Sequence, residues 1–248
     1  MSELKSYAVW DASTRWFHWI NAICVIALAS IGTVILNADA LAVPDNPGMV
    51  TLKTVHVSFG YVLVLNLLWR IVWAFIGNRY ARWSAILPGG SGYFQALRSY
   101  IAAFIAGRPE HYLGHNPAAR LAVTALFLVI ITQAATGLVL AGTDLFFPPF
   151  GQWIAEWVAA PGVAPETLVP YAPEMYNTAA YEEMRTYRST FLTIHLYNFY
   201  IVVAMVILHI VAVVITELRE GGNIISAMFT GRKVISGRPV DEPGNDVN

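Results

Sequence analysis

The chain has 248 residues, of which 56% are hydrophobic and 12% charged, against the roughly 25% charge usual in soluble domains. Its 15 Lys+Arg and 16 Asp+Glu leave a net charge of -1, too few charges for the surface of a water-soluble monomer and no basic excess for nucleic acid. The single cysteine, Cys24, excludes a disulfide framework, a thiolate-held iron-sulfur cluster and a CxxCH haem attachment.

Crossing about 30 Å of hydrocarbon takes roughly 20 apolar residues in a helix. The first such stretch, about 16–37, reads WFHWINAICVIALASIGTVIL and carries no charge. Basic residues ahead of it (Lys5, Arg15) and the small triplet Ala38-Asp39-Ala40 behind it are also the marks of a signal peptide. The apolar run is longer than an ordinary signal-peptide core, so a retained membrane helix is expected. Its histidine is His18; Cys24 reads as a small apolar packing residue.

The second stretch, about 54–77, contains His56, Asn66 and Arg70. Polar side chains within a span are costly, which makes each a functional candidate. Gly60, four residues after His56, lies on the same face and leaves room for a flat ligand against the backbone, although close packing between helices asks for the same residue. Arg70 follows His56 by 14 residues. Fourteen helical steps return within about 40° of the starting face and rise roughly 21 Å.

Residues 91–107, SGYFQALRSYIAAFIAG, alternate at helical spacing and suit either a helix flat in the cytoplasmic interface or one packed under the bundle. His111 and His115 precede the third span in RPEHYLGHNPAARL and read as loop or capping residues, with Asn116-Pro117 opening the next helix. The third span, about 118–141, is interrupted by Thr132, Gln133 and Thr136. Residues 143–189 follow, a long segment with six prolines from Pro148 to Pro173 and the aromatics Trp153 and Trp157. Its apolar content favours an ordered cap or a docking surface. The fourth span, about 190–216, carries His195, Asn198 and His209, and 237–248 is a polar tail expected to fray.

With four spans both termini share a side. That side holds Lys5, Arg15, Arg79, Arg82, Arg98, Arg108, Arg120, Arg219, Arg232, Lys233 and Arg238, against Lys53, Arg185 and Arg188 opposite. Basic loops stay inside, so both termini are expected to be cytoplasmic. The outer side carries Asp39, Asp45, Asp144, Glu156, Glu166, Glu174, Glu182 and Glu183. The expectation is an all-α integral membrane four-helix bundle over 1–236, with a long external loop between helices three and four, in a bacterial inner membrane.

His195 and His209 are also 14 residues apart, so one helix face presents an imidazole toward each membrane surface. Depth pairs His18 with His209 and His56 with His195. Two neutral imidazoles on opposite sides of a flat iron macrocycle are how a helical bundle holds a b-type haem without a covalent link. Two such haems form an electron path across the bilayer. Zinc lacks a third protein ligand at either pair. Arg70 falls at the depth of His18 and His209, where a guanidinium suits a haem propionate or snorkels to the interface. Arg15, one turn before His18, is a second propionate candidate or a simple inside anchor. Trp16, Trp19, Trp69 and Trp73 read as interface aromatics. A histidine relay for protons or a transported substrate is the alternative use, and it gives the depth pairing no purpose.

The stretches VWDASTRWFHW, VHVSFGYVLVLNLLWRIVWAFIGNRYARW, GRPEHYLGHNPAA and IISAMFTGRKV, with the His195/His209 pair, resemble the four-helix, two-haem cytochromes b of nickel-iron hydrogenases over most of the chain. The resemblance implies that His18, His56, His195 and His209 are haem ligands. It also implies a membrane-anchoring subunit, not catalytic alone, that passes electrons between a periplasmic hydrogenase and membrane quinone. The proline-rich segment VAPETLVPYAPEMYNTAAYEEM is longer than that family leads one to expect. Related cytochromes b also serve multihaem cytochromes c and other reductases, so a partner of that kind is the alternative.

Overall fold

The computed structural model describes residues 4–43, 45–220 and 223–242. Four of its helices are long and apolar enough to cross a membrane: α1 (Ala12–Leu36), α2 (Asp45–Ile76), α5 (Pro117–Leu145) and α7 (Thr178–Glu220). The shorter helices are α3 (Trp83–Ile86), α4 (Tyr93–Ile105), α6 (Gly151–Val158) and α8 (Ile224–Thr230). All four expected spans are present, but α2 begins at Asp45 instead of 54 and α7 at Thr178 instead of 190. Hydropathy marks only the part of a helix that hydrocarbon accepts, whereas the backbone ladder continues into the polar phase. The 43 residues of α7 rise roughly 64 Å, about twice the hydrocarbon thickness.

In the most apolar windows of α1, α2, α5 and α7 only 11%, 28%, 6% and 6% of residues are buried by protein. Side chains such as Ile26, Leu65, Phe75 and Leu208 face outward. Lipid is the solvent for those faces.

The chain groups into two compact units, each built from segments of the four long helices: residues 1–20, 66–128 and 204–248, and residues 21–65 and 129–203. In the first unit, strand β1 (Leu4–Ala8) pairs antiparallel with β2 (Arg232–Ser236), Leu4 opposite Ser236 and Ala8 opposite Arg232. This small sheet departs from the all-helical expectation. Five-residue strands carry too weak a pattern to read singly, and they hold only as a pair. Val9, Trp10, Tyr80, Leu113, Ala227 and Ile235 form a core beside it. The Lys233 ammonium reaches in to donate to the carbonyls of Tyr112 and Gly114, and burial lowers its pKa.

Residues 237–242 are docked, contrary to the expected fraying. The Asp241 carboxylate accepts the N–H groups of Leu113 and Gly114 at 2.6 and 2.8 Å, and the Val240 N–H donates to the His111 carbonyl. One carboxylate thus satisfies two loop donors that nothing local could reach. The rest of the predicted tail, 243–248, lies outside the described residues.

Helix α4 combines both readings of 91–107. Tyr93 and Tyr100 face protein, donating to the Pro117 carbonyl and Glu220, while Phe94, Ile101 and Ile105 are exposed. In the second unit the external segment is an ordered cap. Ile154, Ala155 and Val158 of α6 pack with Leu168, Tyr176 and Met184.

Two of the polar residues flagged within spans are structural. In the first unit the Asn66 amide donates to the Phe17 carbonyl at 3.0 Å. In the second, Asn198 donates to the Val129 carbonyl and to Gln133 Oε1 at 2.9 and 2.7 Å. Each stitches one long helix to another where no water competes. Trp69 and Trp73 are more than interface aromatics, since their N–H groups donate to Ser13 and Asp11 at the start of α1.

Gly231 ends α8 at φ +79°, and a Cβ there would stand 2.5 Å from the Trp10 carbonyl oxygen. That carbonyl cannot move away, because the Val9 and Trp10 N–H groups both donate to Gly231. Gly231→Ala should therefore destabilise the detergent-solubilised protein by at least about 1–3 kcal/mol. An unchanged thermal unfolding curve would contradict this closure.

Candidate metal centre

In the second unit, α2 and α7 bring His56 and His195 together with ring centres 6.4 Å apart and ring planes inclined at 70°. Two imidazoles bonded to one metal from opposite sides, at roughly 2.0–2.1 Å each, set their ring centres about 6.3 Å apart. The rings already stand at that spacing.

Neighbouring residues fix the orientation. Thr136 Oγ1 lies 2.9 Å from His195 Nδ1 and donates its own proton to the Thr132 carbonyl at 2.8 Å. With the hydroxyl proton on that carbonyl, Oγ1 accepts from Nδ1–H, the tautomer that leaves Nε2 unprotonated and free to ligate. Each imidazole also lies against a glycine of another helix. A Cβ on Gly32 of α1 would come within 3.3 Å of His56 Cε1, and one on Gly137 of α5 within 3.3 Å of His195 Cε1.

Both histidines line a cavity of about 290 Å³ whose walls are mainly apolar, including Leu28, Leu63, Leu140 and Phe199. That is near the lower end of the roughly 300–1,000 Å³ range for ligand sites. Gly60 lines it too, and a Cβ there would meet nothing within 4 Å. Among the described residues no group of three or more His, Cys, Asp or Glu side chains could hold a metal ion. Two opposed imidazoles in an apolar slot suit a metal whose other positions a macrocycle fills.

In the first unit, His18 and His209 are close enough to interact electrostatically. His18 Nδ1 is buried without a hydrogen-bond partner, and its ring lies edge-on to Trp19, whose indole donates to the Met228 carbonyl. Arg70 is 3% exposed. Its Nη2 donates to the Ala81 carbonyl at 2.8 Å, its guanidinium stands 5.6 and 5.8 Å from the Phe17 and Phe127 ring centres, and its Nη1 is buried with no partner. An unspent buried donor of that kind fits an anionic group such as a propionate. Arg15 instead donates to the Phe229 carbonyl of α8.

His115 is not a plain loop residue. Its ring centre is 5.0 Å from that of Trp10, and its Nδ1 is buried without a partner. Burial, and then the charges of Lys233, Arg70 and Arg120, lower its pKa to about 3. Asn116 does cap α5, accepting the Ala119 N–H at 2.8 Å, with Pro117 as first residue. Cys24 is buried and free.

The sequence profile of the family described as prokaryotic cytochrome b561 matches residues 9–231. The chain belongs to that family. Similar proteins include the probable Ni/Fe-hydrogenase B-type cytochrome subunit of Rhizobium leguminosarum bv. viciae, 27% identical over 252 residues covering 95% of this chain and 92% of the relative. The Bradyrhizobium diazoefficiens protein of that description is 28% identical over 91% of this chain and 85% of its own length. The probable Ni/Fe-hydrogenase 1 B-type cytochrome subunit of Escherichia coli K12 is 33% identical over 54% of this chain and 60% of its own length. This cytochrome b is a multi-pass electron-transfer protein of the bacterial inner membrane, with haem b as its cofactor.

Four features of the His56/His195 site escape sequence reading: Gly32, Gly137, Thr136 and the cluster Lys53, Asp144 and Arg188 that lines the same cavity. Only Thr136 had a signal, as one of the polar interruptions of the third span. Glycine is too common in membrane helices to stand out.

Two outcomes are expected. Gly137→Val should push the His195 ring off its position and lower the haem content of the purified protein; full retention would mean that the ring does not need that glycine. His115 has a folded pKa far below the usual 6.5, so it favours the folded state above that value and loses the contribution as pH falls toward 3. His115→Gln should flatten the fall in thermal stability between about pH 6.5 and 4; identical pH profiles would count against it.

Proposed function

We propose that this cytochrome b holds two haems, one on His56 and His195 and one on His18 and His209, and transfers electrons between a periplasmic hydrogenase and membrane quinone. The 6.4 Å spacing of the His56 and His195 rings is the observation that carries this reading furthest. Haem, when bound, supplies reversible one-electron transfer at iron. The chain's own residues hold and insulate it. Thr136 keeps His195 Nε2 available, Gly32 and Gly137 let the rings sit upright, and the apolar walls keep water from the metal. In the first unit Arg70 Nη1 is free for a carboxylate.

The partner reading draws on the names of the similar proteins and on charge. Lys53 and Arg188 are both engaged by Asp144. Glu156, Glu166, Glu174, Glu182, Glu183 and Trp153 remain exposed on the expected periplasmic side, where they offer an acidic, aromatic surface to a redox protein. The quinone reading follows from the family resemblance.

Purified protein should contain about two b haems per chain by pyridine haemochrome, and His195→Ala should lose one. His111→Ala and His115→Gln should keep both. Retention of both haems in His195→Ala would refute the ligand pairing. In membranes containing the hydrogenase, hydrogen should reduce the b haems of the wild type, and no reduction would refute the assigned partner.

A further inference from the structure

Lys53, Asp144 and Arg188 come from α2, α5 and α7 and line the same cavity as His56 and His195. Lys53 Nζ donates to Asp144 Oδ2 at 2.5 Å, and Arg188 grips the same carboxylate through Nε and, at 3.0 Å, Nη2. Their side chains are only 18%, 13% and 25% exposed, in the order Lys53, Asp144, Arg188.

Helical spacing puts all three at one end of the cavity. Lys53 precedes His56 by three residues, Asp144 follows Gly137 by seven and Arg188 precedes His195 by seven. Steps of three and seven stay on the same helix face, and seven residues rise roughly 10.5 Å. That is the scale separating the centre of a porphyrin from its carboxylates. The external segment closes this end, placing Tyr171 over Lys53 with 5.4 Å between Nζ and ring centre. Tyr171 adopts a φ of +64°, a conformation that costs a bulky residue energy and persists only where the surroundings impose it.

The charges do not balance. Two cations share one carboxylate at an apolar slot, where a staple between helices needs one of each sign and an unneutralised cation is costly. Arg188 Nη1 and further Lys53 protons make none of the bonds to Asp144. The cluster therefore offers one net positive charge and spare donors to the cavity.

We propose that Lys53 and Arg188 bind the propionate carboxylates of the haem held by His56 and His195, with Asp144 as the positioning residue that holds both cations at the cavity mouth. The proposal rests on the assignment of those histidines as haem ligands. Two carboxylates against two cations give charge-assisted hydrogen bonds at the end of the slot away from the imidazoles. They also fix which edge of the macrocycle points toward the external segment.

The test uses full-length detergent-purified protein, with haem content by pyridine haemochrome, redox titration of the b haems and haem transfer to excess apomyoglobin. Lys53→Met and Arg188→Leu remove positive charge, so each should lower the midpoint potential of one haem. Asp144→Asn removes negative charge and should raise the potential of the same haem. The Lys53→Met/Arg188→Leu double variant should release that haem about tenfold faster or more. Arg188→Lys, the gentler variant if the others fail to fold, should keep the potential and still release haem faster. If the potentials stay fixed while only thermal stability falls, or if Asp144→Asn shifts in the same direction as Lys53→Met, the cluster is a helix staple and the proposal fails. Absence of haem from wild type, or a full haem complement in His195→Ala, would instead overturn the ligand assignment beneath it.

Discussion

No water reaches the middle of a bilayer, so each polar side chain placed there must find its partner inside the protein. That constraint sorts the polar residues of the four long helices. Asn66 and Asn198 are satisfied by backbone carbonyls of another helix, and Thr136 by a carbonyl of its own. The histidines are not all satisfied in this way: His18 and His56 each keep a buried Nδ1 with no partner. The asparagine amides thus join helices, whereas these two imidazoles keep hydrogen-bonding capacity that no side chain or carbonyl takes up.

The external segment is tied to this arrangement. Tyr61 donates to the Pro148 carbonyl, and Lys53 lies under Tyr171, so residues from the cap reach side chains that line the His56/His195 cavity. The cap is ordered because α6 buries Ile154 and Val158 against Leu168, Tyr176 and, from α7, Met184. Its outer face carries Trp153 and Glu156. The segment thus packs inward on the rim of the His56/His195 cavity and presents aromatic and acidic groups outward.

In the other unit the terminal regions assemble what the sequence leaves scattered. β1 and β2 pair from opposite ends of the chain, and Asp241 closes on the loop before α5. Burial, reinforced by the charges of Lys233, Arg70 and Arg120, keeps His115 neutral, although Lys233 and Arg120 read singly as ordinary basic residues of a cytoplasmic face. Buried groups from four separate stretches are needed to produce that environment.

The sequence by itself determined the four spans, the helix opening at Asn116-Pro117 and the matched depths of the histidines, because these depend on hydrophobicity and on the 3.6-residue period, both of which are local. It also carried the family resemblance that the profile match over 9–231 bears out. Only the tertiary structure decided which glycines flank the imidazoles, that Thr136 orients His195, that Asn66 and Asn198 are stitches, and that Lys53 and Arg188 converge on Asp144. Lys53 and Asp144 are 91 residues apart and Arg188 is another 44 beyond. Periodicity places a residue on a face of its own helix, but which faces meet is set by packing among helices, and no local pattern records it.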